Sequence, residues 1–305
     1  VDRLRKERTA IDRLTRARRP YEVRIGGRCV HFGERTWVLG VVNVTPDSFS
    51  DGGLCADAER AVAHGLGLLE AGADAVDVGG ESTRPGGAPV PVSEELRRVV
   101  PVVEGLRRRS GAPISVDTTK AEVARAALDA GADLVNDVSG FAFDPELAPL
   151  VARRGVPAIL MHLRGDFHGM HRQPSYRDVM GEVVAELGAA VARAEAAGVR
   201  REQLVLDPGI GFSKDASHSL EVLARLPELS ALDRPVLVGP SRKSFIGKVL
   251  DVPVGGRLMG TAAAVAACVL GGAHAVRVHD VAEMAQVVRL CDAILAARVR
   301  EAQPC

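Results

Sequence analysis

Aromatic residues are scarce. Phe, Trp and Tyr make up 3% of the 305 residues, in a chain that is 47% hydrophobic. A core of ordinary size must then come from Ala, Val, Leu and Ile, which suits parallel strands buried on both faces. Net charge is absent as well: 39 basic and 39 acidic residues cancel, which argues against a general nucleic-acid binder. The five cysteines (Cys29, Cys55, Cys268, Cys291, Cys305) are odd in number and show no C-x-x-C spacing. Neither a disulfide framework nor a zinc ribbon is expected, and a reducing, cytoplasmic setting is the simplest reading. No apolar run approaches the ~20 residues that span a bilayer, so no membrane segment is expected. Residues 1–20 carry eight Arg or Lys against three Asp or Glu and lack an apolar stretch. That head reads as a solvated basic extension rather than a secretory signal, ahead of one domain over residues 21–300.

What the chain does contain is a repeat. Ala-rich helical runs end on glycine, and a short apolar run follows at once: Glu70-Ala-Gly-Ala-Asp74 before residues 75–78, Asp129-Ala-Gly-Ala-Asp133 before 134–137, Arg154-Gly-Val156 before 158–161, and Gly271-Gly-Ala273 before 275–278. Glycine closes a helix in the left-handed conformation without a Cβ penalty. Eight apolar runs are counted, at 37–44, 75–79, 113–117, 134–138, 158–163, 204–208, 235–239 and 275–278. Helical stretches at 56–71, 93–109, 119–130, 176–197, 257–270 and 281–302 alternate with them. Eight such units predict an α/β fold, a (β/α)₈ TIM barrel. An open doubly wound sheet is the alternative, weakened by the lack of G-x-G-x-x-G after the first strand. Residues 22–25 and 29–32 flank Gly26-Gly27, which predicts an N-terminal β-hairpin suited to closing the bottom of the barrel.

Polar residues gather where the strands end, which is where such barrels place their chemistry. Asn43, Gly79-Gly-Glu-Ser-Thr-Arg84, Asp117, Asn136-Asp137, His162-Leu-Arg164, Asp207, Ser241-Arg-Lys243 and Arg277-Val-His279 all fall there. Arg277 and His279 are two apart and share a face of their strand, an arrangement fit for an anion. Asp117, Asn136 and Asp207 supply acceptors for a heterocycle with an amino-amide edge. Asn43 is a neutral oxygen ligand compatible with a Mg²⁺ that keeps most of its waters. His168 and His171, three apart, read as a solvated loop rather than a metal site.

Val42-Asn-Val-Thr-Pro-Asp-Ser-Phe-Ser-Asp-Gly-Gly53 and Asp77-Val-Gly-Gly-Glu-Ser-Thr-Arg-Pro-Gly86 resemble the two signature loops of dihydropteroate synthases. Asp207-Pro-Gly-Ile-Gly-Phe212, Gly239-Pro-Ser-Arg-Lys-Ser244 and Arg277-Val-His-Asp280 are similar to later motifs of that family. The resemblance runs from about residue 23 to residue 295. It implies Mg²⁺-dependent transfer of a dihydropterin-methyl group from its diphosphate to p-aminobenzoate, by a homodimer packed through late helices. It assigns Asn43 to Mg²⁺ on the diphosphate, and Asp117, Asn136, Asp207 and Lys243 to the pterin ring. Arg277 and His279 fall on the leaving group, Thr83 and Arg84 near the substrates, and Phe49, Phe212 and Ser241 around p-aminobenzoate. Ser213 departs from the family, where Gly or Ala commonly precedes the lysine at this point; Ser219 and Pro240 depart too. Two rivals share the resemblance: a pterin-binding methyl-transfer barrel, and a non-catalytic pterin-binding paralogue.

Overall fold

Alternation along each strand sorts the side chains of the barrel into two layers. The computed structural model describes residues 18–44, 53–82, 89–165 and 175–301. Two antiparallel strands come first, β1 (Tyr21–Ile25) and β2 (Arg28–Phe32), joined through Gly26-Gly27. The barrel strands follow: β3 (Trp37–Asn43), β4 (Ala75–Gly79), β5 (Ile114–Asp117), β6 (Leu134–Asp137), β7 (Ala158–Met161), β8 (Leu204–Asp207), β9 (Leu237–Val238) and β10 (Ala275–Val278). They form one parallel sheet in the order β8-β7-β6-β5-β4-β3-β10-β9. A bridge between Leu206 and Val236, with Leu206 N donating to Pro235 O at 2.9 Å, closes the sheet into a barrel.

Helices cover the outside: α1 (Gly53–Glu70), α2 (Val92–Arg109), α3 (Ala121–Asp129), α4 (Leu147–Arg154), α5 (Val179–Ala196), α6 (Ala216–Ala224), α7 (Ser244–Leu250), α8 (Leu258–Leu270) and α9 (Val281–Glu301). Even-numbered strand positions such as Val38, Val42, Val76, Val78, Val116, Leu160, Leu206, Val238 and Val276 pack against these helices as the main core. Their opposite neighbours Leu39, Ala75, Leu134, Ile159, Val205, Leu237 and Ala275 form a second cluster inside the barrel. Val23, Ile25, Val30 and Phe32 of the hairpin join that inner cluster, so the hairpin is the floor of the barrel. The helix-ending glycines do adopt left-handed backbone, at φ +107° for Gly72, +113° for Gly131, +65° for Gly155 and +96° for Gly272.

The differences from the expected elements have local causes. β9 shrinks from 235–239 to two residues, because Pro235 has no N–H to donate and Val236 bridges at the seam instead. α5 begins at Val179 rather than at 176: Glu182 Oε1 accepts from Arg177 N at 2.7 Å and Asp178 N at 3.0 Å, capping the helix from within. Part of the basic head is docked: Arg18 ion-pairs with Asp292 and donates to Ala273 O at 3.1 Å. Cys29, Cys268 and Cys291 are free thiols, and no described helix is long and apolar enough to cross a membrane.

Candidate active site

With the floor filled by apolar side chains, the inward positions nearer the strand C-termini are left to polar ones. Asp77 of β4, Asp117 of β5, Asn136 of β6, Asp207 of β8 and Arg277 of β10 all continue the inward-facing series. They meet. Arg277 donates from Nε to Asp77 Oδ2 at 2.6 Å and from Nη2 to Asp117 Oδ2 at 2.8 Å. Asn136 Nδ2 donates to the same Asp77 oxygen at 3.0 Å, while Asp77 Oδ1 is buried with no partner among the described residues. Asp77 is therefore the hub of the arrangement, and sequence reasoning assigned it no role. The signal was available: a charge at the centre of Ala75-Val-Asp-Val-Gly79, in phase with the inner face.

Burial pushes the Asp117 carboxyl up to about 7; the neighbouring Asp77 charge adds to the shift and Arg277 opposes it. Asp207 is pushed up to about 6 by burial, opposed by the Gly209 N–H it accepts at 2.7 Å and by Lys243. Lys243 is pulled down to about 7 by burial and by the Arg277 charge, with Asp207 and Asp117 opposing. Burial works against the Arg277 charge too, but Asp77 and Asp117 outweigh it and hold the guanidinium above its ordinary value.

The segment after β9 delivers two more groups by one backbone device. Arg242 sits in the left-handed region at φ +58°, its amide donating to Thr261 Oγ1 at 3.1 Å and its guanidinium paired with Asp280 outside. With Arg242 turned out, Ser241 and Lys243 turn in. Ser241 Oγ accepts from His279 N at 3.2 Å and lies 3.0 Å from His279 Nδ1. The hydroxyl thus holds the His279 ring and its backbone together and fixes where the imidazole stands. Lys243 Nζ stands 3.7 Å over the Phe212 ring, and Phe212 packs with Val138, Met161 and Leu163 into a small apolar wall. Charged groups and a small apolar cluster thus meet at Phe212, a combination suited to a flat polar heterocycle.

Other strand-end residues serve the frame. Asp137, adjacent to Asn136, points the opposite way and accepts from Ser139 N at 2.8 Å and Phe141 N at 2.6 Å, closing its own loop. Glu81 accepts from Val90 N at 2.6 Å and from Lys120 Nζ at 3.0 Å, joining both stems of the second signature loop to the end of β5. His162 and Arg164 turn toward Glu186 rather than into the ring of inward groups. Asn43 ends β3 beside Gly79. Phe49, Thr83, Arg84, His168 and His171 lie outside the described residues.

A barrel with this site is a pterin-binding enzyme: residues 39–279 match the family model of that description. The dihydropteroate synthase of Synechocystis is 47% identical over 276 residues, covering 90% of this chain and 96% of that one. The Escherichia coli enzyme is 46% identical over 261 residues, 86% of this chain and 92% of its own. Among solved structures, Xanthomonas albilineans dihydropteroate synthase with 4-aminobenzoic acid superposes with a TM-score of 0.85 at 45% identity, covering 91% of this chain and 99% of that one. The same enzyme in complex with 7,8-dihydropteroate gives 0.82 at 43%, covering 90% and 99%. The chain belongs to the dihydropteroate synthase family, transferases of folate biosynthesis that condense a pterin with p-aminobenzoate.

Proposed function

We propose that the inward groups divide into a ring site and a leaving-group site for one substrate, a dihydropterin-methyl diphosphate. The observation that carries this reading is the juxtaposition of Asp117, Asn136, Asp207 and Lys243 with the wall of Val138, Met161 and Phe212. The carboxylates accept from the 2-amino and ring N–H edge, Asn136 and Lys243 meet the ring oxygen and nitrogen acceptors, and the apolar wall covers the flat face. Arg277 keeps its Nη1 hydrogens uncommitted among the described residues and is held charged by two aspartates. With His279 it meets negative charge on the departing diphosphate.

In the reaction the C–O bond to diphosphate breaks and a C–N bond to the p-aminobenzoate amine forms, with the amine proton lost. No enzyme nucleophile is needed, so the protein's work is to hold, orient and keep water away from the electron-poor methylene. Phe212 and Ser241 frame the p-aminobenzoate pocket, completed by Phe49, Thr83 and Arg84 on the basis of their motifs. Asn43 fits Mg²⁺ as a single neutral oxygen: its amide has no hydrogen-bond partner among the described residues, and such a donor suits an ion that keeps its waters and phosphate ligands. When bound, Mg²⁺ would neutralise charge on the leaving diphosphate.

Residues 21–300 form the catalytic domain in this reading, with residues 1–20 as its appendage, and the setting is the cytoplasm. The protein works as a homodimer through α7, α8 and α9, whose Val249, Leu250, Met259, Leu290 and Ile294 are exposed apolar side chains on neighbouring elements. The test of the activity is direct: the chain with dihydropterin-methyl diphosphate, p-aminobenzoate and Mg²⁺ yields dihydropteroate and diphosphate. Tight pterin binding without product would instead mark a non-catalytic relative. Arg277→Ala and Lys243→Ala each depress turnover strongly; unchanged rates would refute their assignments.

A further inference from the structure

The loop after β8 carries Asp207 and Phe212 into the site, yet the side chain that organises it points the other way. Lys214 is 7% exposed. Its Nζ donates to Gly209 O and to Phe212 O, each at 3.2 Å, and lies 2.7 Å from His162 Nδ1. The direction of that last contact follows from the far side of the ring. His162 Nε2 is 2.9 Å from Glu186 Oε2, and a carboxylate only accepts, so Nε2 carries the imidazole proton and Nδ1 is an acceptor. The three acceptors then match the three hydrogens of an ammonium. Burial pulls the Lys214 amine down to about 7, against the opposing charges of Asp207 and Glu186, and burial keeps His162 neutral by lowering it to about 4.

The rest of the block is equally constrained. Arg164 Nε holds Glu186 Oε1 at 3.0 Å, and the Arg164 backbone exchanges hydrogen bonds with Ser213 Oγ at 3.0 and 2.6 Å. Gly209, at φ +68°, lies so close to β7 that a Cβ there would come within 2.1 Å of His162 O. Helix α5, the end of β7 and the β8 loop are therefore one polar unit behind the substrate-facing surface.

We propose that Lys214 is a positioning residue: by tying the Gly209 and Phe212 carbonyls to His162 and Glu186, it sets where Asp207 and Phe212 meet the pterin ring and p-aminobenzoate. The proposal rests on the ring-site reading above. Lys214→Met takes the ammonium away from both carbonyls, leaving Gly209 O only the Phe212 N–H at 3.1 Å, and lets the loop slacken by a fraction of an ångström. The KM for p-aminobenzoate and the Kd for 6-hydroxymethylpterin, measured calorimetrically without turnover, then rise about ten- to a hundredfold. His162→Leu cuts the same tie and gives the same rise. His162→Gln retains an acceptor for Lys214 and a donor for Glu186, and stays within about threefold of the parent. The Lys214→Met/His162→Leu double variant is no worse than Lys214→Met alone. Should Lys214→Met not fold, the two His162 variants carry the test.

Melting curves establish the folded fraction in every case, since a merely structural lysine would lower the melting temperature and leave both constants unmoved. Unmoved constants in folded Lys214→Met or His162→Leu, alongside weakened pterin binding in Asp207→Asn, would overturn the positioning role alone. Unchanged pterin binding in Asp207→Asn would overturn the ring-site reading and this proposal with it.

Discussion

A single inward carboxylate can set the state of its neighbours, and Asp77 does so here. Its charge raises Asp117, and its Oδ2 receives both Arg277 and Asn136. Asp77→Asn removes the first effect, so the Asp117 carboxyl falls from about 7 toward its ordinary value and the acid limb of the pH–rate profile moves to lower pH. It also weakens a charge-assisted hydrogen bond worth about 1.5–3 kcal/mol, so kcat/KM falls about ten- to a hundredfold at the optimum. A pH series of initial rates on parent and variant reads both. Ser213 poses a different residue-level problem: at φ +46° it occupies backbone that favours glycine. Its hydroxyl offsets that strain through the two Arg164 backbone bonds. Ser213→Ala keeps the strain and loses the bonds, and costs about 1–3 kcal/mol in urea unfolding. Ser213→Gly loses the bonds with the strain relieved and costs less. Asp117, Asn136, Asp207 and Arg277 were legible because polar residues at the ends of apolar strand runs stand out in the sequence. Lys214 was not, because its direction depends on the path of a loop, which no periodicity encodes.

Elements long enough to show a period, or closed by a glycine, were legible. α1, α2, α5, α8 and α9 run for 18, 18, 18, 13 and 21 residues, and each was located to within a few positions. α3, of 9 residues, was located too, and the end of α4 was marked by Arg154-Gly155; α6 and α7, of 9 and 7 residues, were given no bounds, since about two turns without a closing glycine hold too few apolar positions to distinguish a helix from a loop. The hairpin was legible from its Gly-Gly turn and alternation, and its place under the barrel gives it a separable function. Phe32 is 3% exposed in the inner apolar cluster, far along the strands from Asp77 and Arg277. Phe32→Ala opens a cavity there and costs about 3–5 kcal/mol of stability. Both KM values stay unchanged in the fraction that remains folded; a rise in either would show that the floor and the site are coupled.

At the scale of the whole molecule, the apolar face on α7–α9 and the charge state of the site make separate predictions. Met259 is 77% exposed on α8 and Leu290 65% on α9, two helices that pack against each other. The proposed homodimer predicts that Leu290→Glu with Met259→Glu shifts light-scattering mass from dimer to monomer; a parent protein of monomer mass would refute it. The unliganded site also carries a pH signature. Asp117 and Asp207 have folded-state values of about 7 and 6, raised above the ordinary carboxylate value. Their contribution to stability is therefore full below that ordinary value and is lost as pH rises through 6 to 7. Lys243 and Lys214 are both depressed to about 7. Their contribution is full above the ordinary lysine value and is lost as pH falls toward 7. The two trends meet near neutrality, so the unliganded protein melts lower at about pH 7 than at about pH 5 or 9. Asp117→Asn flattens the acid side of this minimum, and Lys243→Met flattens the alkaline side. A pterin that pairs with both the ionised carboxylates and the charged Lys243 amine fills the minimum, raising the melting temperature more near pH 7 than at either flank. A ligand-induced rise independent of pH would show that the ring is held by other groups.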